Sequence, residues 1–122
     1  MPAPEALKRF IAASFKSVWS LELLLLLKRS PGLHDRSELI AQLRASELVV
    51  QQSLDGLVAA GLALFDVDGR AEFKPASPDL LTRIEEVEEL YAKKPDAVRR
   101  IIVGGSTSGL DAFSNAFLLR GN

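Results

Sequence analysis

A mainly α-helical domain carrying one small β-hairpin is what this sequence predicts, on three observations. The stretch from Glu38 to Leu54 (ELIAQLRASELVVQQSL) spaces Leu39, Leu43, Val50 and Leu54 as two short helices would, each burying one face, with Ala45 and Ser46 between them. Two apolar alternating runs flank Asp68-Gly69, a hairpin signal because both positions of a tight turn favour positive φ. Gly61 separates the helix pair from the hairpin and suits the left-handed backbone that ends a helix.

Composition bounds the rest. The chain has 122 residues, enough for one domain with a modest core, and its 48% hydrophobic and 25% charged residues are ordinary globular usage. It has no cysteine and one histidine, His34, so thiol chemistry is excluded, soft ligands are too few for zinc, and no cofactor is expected. The leucine run 23–27 lies between Glu22 and Lys28-Arg29, too short to span a bilayer. Lys16 and Glu22 interrupt any signal-like apolar stretch, and a cytoplasmic location is expected.

In chain order, Leu7, Phe10, Ile11 and Phe15 predict an amphipathic N-terminal helix over residues 1–16, a possible dimer element. Val18, Leu21, Leu24, Leu25 and Leu27 leave little polar face on the next helix, which should be the most buried; Trp19 reads as a packing residue. Ser30-Pro31-Gly32 stops it, since proline lacks the amide needed to continue. Asp35 with Glu38 suggests a capping box on a helix from about Arg36 to Leu43, and Ser46 caps another from about Glu47 to Ala60. Strands are expected at 62–67 and 70–74. Ser77-Pro78 starts a further helix bearing Leu80, Ile84, Val87 and Tyr91 as a stripe for a partner helix, and 97–103 forms another within a possible dimerisation segment, 76–103. Residues 104–122 read as a Gly/Ser tether (GGSTSG) and a tail with Leu110, Phe113 and Phe117 on one face.

Two helices, a short turn and a hairpin in that order resemble the bacterial winged helix-turn-helix transcriptional regulators, MarR- and PadR-like in general pattern, over about Ser17 to Pro75. The resemblance implies a dimeric DNA-binding protein acting in transcriptional control. Matched onto this sequence, its reading positions fall on Val49, Gln51 and Gln52, beside an exposed Leu48. Gln51 and Gln52 would pair with adenine, Ser46 would start the reading helix, and Arg44 and Arg70 would flank it on phosphates. Charge departs from this pattern. From Ser46 to Pro75 five acids (Glu47, Asp55, Asp66, Asp68, Glu72) face two cations (Arg70, Lys74), a balance of −3, whereas the first thirty residues carry +3.

The alternative expectation is therefore a winged helix that binds protein and not DNA, through Leu48 and Val49, through the stripe at Leu80, Ile84, Val87 and Tyr91 as a homodimer, or through Phe113 and Phe117 of the tail. No enzyme is expected. GGSTSG lacks the Gly-Lys-Ser/Thr of a phosphate loop, Thr107 stands where a nucleophile elbow has serine, and His34 reads as an exposed, inert loop residue. The acidic run Glu85, Glu86, Glu88 and Glu89 reads as a solvated helix face.

Overall fold

The computed structural model describes residues 5–104. Helices α1 (Glu5–Ser14) and α2 (Val18–Arg29) meet at a bend of 96°. Ser17 makes that bend affordable to the backbone: its hydroxyl accepts from the Ser20 amide at 3.2 Å, while its own amide donates to the Ser20 hydroxyl at 3.4 Å. The reciprocal pair satisfies first-turn donors that would otherwise lose water. Because α2 buries Leu21, Leu23, Leu24, Leu25 and Leu27, it forms the centre of the molecule and packs against the elements that follow.

After the break at residues 30–35 come α3 (Arg36–Leu43) and α4 (Glu47–Ala59), joined by Arg44, Ala45 and Ser46. Asp35 occupies the cap position of α3 without a side-chain bond, so the expected capping box is not made; Glu38 turns instead to His34. Ser46 does cap α4, accepting from the Val49 amide at 3.1 Å. The end of α4 closes as expected: Gly61 sits at φ +77°, its amide bonds the Val58 carbonyl and the Leu62 amide bonds that of Leu57.

Strands β1 (Ala63–Phe65) and β2 (Ala71–Phe73) pair antiparallel, with Leu64 opposite Glu72. They are shorter than expected, and the turn differs. Only Gly69 has positive φ, and the Gly69 amide bonds the Asp66 carbonyl while Asp66 pairs with Arg70. This is a three-residue loop ending in a left-handed glycine rather than a two-residue turn. The Asp66 carboxylate stabilises it by accepting from the amides of Asp68 and Arg70. On the other side of β2, His34 and Ala71 exchange both backbone hydrogen bonds at 2.9 Å, so β2 lies between β1 and the α2–α3 connection.

Helix α5 (Pro78–Lys93) is capped by Ser77, and a last helix, α6, covers residues 95–104. The stripe expected to meet a partner is largely spent within the chain. Ile84 and Val87 are fully buried in the same core that takes Leu7 and Ile11 of α1 and Val98 and Ile102 of α6; Leu80 and Tyr91 pack at its margin. Helix α1, considered above as a dimer element, packs against α5. Among the described residues no single helix is long and apolar enough to cross a membrane.

Candidate functional site

The outward side of α4 begins where Ser46 caps it. Leu48 stands 65% exposed, Val49 is half-buried, and Gln52 and Asp55 face solvent, while Val50, Ser53, Leu54 and Leu57 turn inward. This division follows from helical periodicity alone, and it agrees with the exposure expected for Leu48.

Gln51 differs from expectation. Its amide oxygen accepts from the Arg36 guanidinium and its amide nitrogen donates to Asp55 at 2.8 Å, so both groups that would meet an adenine edge are engaged within the protein. Arg36 also pairs with Glu47 at 3.4 Å. A residue at the start of α3 thereby bridges to two positions of α4, a contact that fifteen residues of separation hide from pattern reading.

The hairpin shows the same internal neutralisation. Arg70 donates to Asp66 at 2.8 Å and lies 3.4 Å from Asp68. Partial desolvation pushes the Asp66 carboxyl up, but hydrogen bonds from the Arg70 backbone and guanidinium and from the Asp68 amide outweigh it and hold the group below its ordinary range. Arg70 is therefore not presented as an open phosphate contact. By contrast, Arg44 is exposed, has no hydrogen-bonding or ionic partner among the described residues, and is the one non-glycine there at positive φ, +55°. The hairpin carries Leu64 at 47%, Phe65 at 38% and Val67 at 101% exposure, an apolar tip that sequence reading did not single out.

Trp19, expected in the packing, is 43% exposed and stands between two concavities. One, of about 220 Å³, runs between the start of α2 and α4 and is lined by Lys16, Val49, Gln52 and Gly56 among others. The second, of about 620 Å³, is lined by Val18, Trp19, Glu22, Gln42, Leu43 and Arg99. Beneath the latter, the Tyr91 hydroxyl donates to Glu22, and Arg99 lies 5.6 Å from the Tyr91 ring centre with one nitrogen 3.4 Å from its hydroxyl. Burial, then the neighbouring Glu22 carboxylate, pushes the Tyr91 phenol up.

His34 is buried, not exposed: Nδ1 lies 3.0 Å from Glu38 and Nε2 contacts the Ser30 carbonyl. A pairing with Glu38 four residues on was the one available signal. Among the described residues no three His, Asp or Glu side chains gather into a metal-holding group. Phe113 and Phe117 lie outside the described residues. Compared with known proteins, the chain matches no protein-family model, no curated protein and no solved structure.

Proposed function

We propose that residues 17–75 form a winged helix-turn-helix whose outward face recognises a protein. The fold reading is supported by the order α2, α3, three-residue turn, α4, hairpin, and by the extended segment at His34 that pairs with β2. The observation that carries the functional reading is the exposure of Leu48 on α4 and of Leu64, Phe65 and Val67 on the hairpin, where Arg36 of α3 and Arg70 of the hairpin loop are already paired with acids of the same chain. Apolar contact on a surface with more acids than cations, where Asp55 and Glu72 have no ion-pair partner among the described residues, suits a partner with an apolar patch and a basic rim. A polyanion gains little there, because nonspecific affinity for nucleic acid comes from phosphate neutralisation.

A second reading, DNA recognition in bacterial transcriptional control, is favoured by one feature: the open guanidinium of Arg44 at the turn before α4, with Ser46, Val49 and Gln52 following it. In that reading Gln52 contacts bases, Arg44 contacts phosphate, and Gln51 must first release Arg36 and Asp55.

Anisotropy of a labelled mixed-sequence duplex across a salt series separates the two. The protein reading expects no binding even at low salt. Micromolar binding with a steep negative salt slope, weakened alike for all sequences by Arg44→Ala, would replace it with the DNA reading. In parallel, a partner captured from the host cell should be lost with Leu48→Asp or Val67→Asp, substitutions at exposed sites that leave the melting temperature unchanged.

A further inference from the structure

The smaller of the two concavities beside Trp19, about 220 Å³, lies where the start of α2 faces α4. Val49, Gln52, Ser53 and Gly56 recur at spacings of three and four, so one stripe of α4 forms its floor. Gly56 marks this cavity as a site and not a packing gap. It stands inside α4, where glycine weakens a helix relative to alanine because it gives up more backbone freedom. A Cβ added there would meet nothing within 4 Å, so no neighbouring atom requires the glycine. Its backbone is not left-handed, so conformation does not require it either. What the missing side chain does is keep the floor of the cavity bare.

The polar groups around it divide into spent and open. The Ser20 hydroxyl donates to the Ser17 carbonyl at 2.6 Å and the Ser17 hydroxyl accepts from the Ser20 amide, so both are committed to the start of α2. Gln51 is engaged by Arg36 and Asp55, but its neighbour Gln52 is exposed and its amide has no partner among the described residues. An open amide presents a donor and an acceptor side by side. A flat nitrogen heterocycle with its own donor and acceptor adjacent pairs with it at two points, as the exocyclic amine and ring nitrogen of adenine do. No acid lines the cavity among the described residues, so a cationic ligand gains nothing there. We propose that it binds a free, uncharged adenine-like base, held between Trp19 and the bare backbone at Gly56 with its edge on Gln52. The volume is below the roughly 300 Å³ of sites for drug-sized ligands, which suits a molecule of about ten non-hydrogen atoms and not one carrying a sugar phosphate as well. Val49 and Gln52 also belong to the outward side of α4, so a bound base would cover part of the face offered to a partner.

The test is calorimetric titration of the full-length protein with adenine, with Trp19, the sole tryptophan, read by fluorescence in parallel. One saturable site with a dissociation constant of about 0.1–1 mM is expected for so small a ligand, and Trp19 emission should change with the same midpoint. Gly56→Leu should weaken adenine binding by at least about tenfold while the melting temperature holds or rises, because it fills the floor and removes a helix-weakening glycine. Gln52→Ala, a change at an exposed position, should weaken adenine by about tenfold and leave purine, which lacks the amine donor, nearly unaffected. Absence of adenine binding at millimolar concentration overturns the proposal. So does binding that Gly56→Leu leaves unchanged, which would place the base elsewhere. AMP binding as tight as that of adenine also overturns it, by assigning the contact to a base carried on a nucleotide or a nucleic acid.

Discussion

His34 concentrates several roles in one residue. Its backbone joins the α2–α3 connection to β2, and its ring joins the end of α2, through Ser30, to the first turn of α3, through Glu38. Both ring nitrogens face acceptors, and only the imidazolium can donate to both. The Ser30 carbonyl raises the pKa above its ordinary 6.5, burial works against it, and Glu38 adds to the rise. A group whose folded pKa is raised stabilises the fold fully below its unfolded value, and that contribution is lost as pH rises through the folded value. The melting temperature should therefore decline as pH rises above 6.5 and through the folded value, and His34→Gln should flatten this part of the profile. Arg44 makes the opposite kind of statement. Left-handed backbone costs a non-glycine residue about 1 kcal/mol, so Arg44→Gly should hold or raise stability by up to about 1 kcal/mol in urea titration. A clear loss would mean that the Arg44 side chain stabilises the fold by some further contact.

At the scale of elements, helix ends and inter-helix ties decide the geometry. Gly61 ends α4 at φ +77°, and a Cβ there would lie 3.4 Å from Ala76 Cβ and 3.7 Å from Leu80. Space is adequate, so the cost of Gly61→Ala is mainly conformational, about 1–2 kcal/mol in chemical denaturation. Helices α2 and α5 are tied by Glu88, which takes Lys28 at 2.8 Å and Arg29 at 3.3 Å. The Lys28 hydrogen bond is the main reason the Glu88 carboxyl lies below its ordinary value; partial burial opposes it and Arg29 assists. A depressed carboxylate stabilises above its unfolded pKa and loses that contribution as pH falls. Glu88→Gln should cost about 1 kcal/mol near neutral pH, a partly buried ion pair being worth somewhat more than an exposed one. The difference from wild type should shrink as pH falls through the depressed folded value and the carboxylate takes up its proton. Within the acidic run Glu85–Glu89, expected as a solvated face, Glu88 is thus the member that turns inward.

At the scale of the whole molecule, one core runs through every helix from α1 to α6. The described segments on either side of residues 17–75 are accordingly not appendages. Phe15, fully buried and edge-on to Phe10 at 6.4 Å between ring centres, belongs to the same cluster as Leu54 and Val98. Phe15→Ala should cost about 3–5 kcal/mol. Unfolding should remain a single transition, coincident by far-UV circular dichroism and by Trp19 fluorescence. Two separated transitions would show that α1 and α5 melt independently of the α2–hairpin unit. Sharing the core in this way also explains why half of the α5 stripe is unavailable to a second copy: Ile84 and Val87 are at zero exposure inside their own chain.

What the sequence determined by itself was local. Helix positions, the Ser46 and Ser77 caps, the glycine stop at 61 and the existence of the hairpin are written in residues within a turn or two of one another, where spacing and backbone preference act directly. Exposure of Leu48 was legible for the same reason, because helical period assigns faces. Tertiary structure decided which faces meet and which charges remain open. Arg36 reaches Gln51 across fifteen residues, Glu88 reaches Lys28 across sixty, and α1 covers the α5 stripe across some seventy. Those pairings set whether a side chain is spent inside the molecule or left for a partner. They depend on the packing of whole helices around α2, which no local spacing encodes.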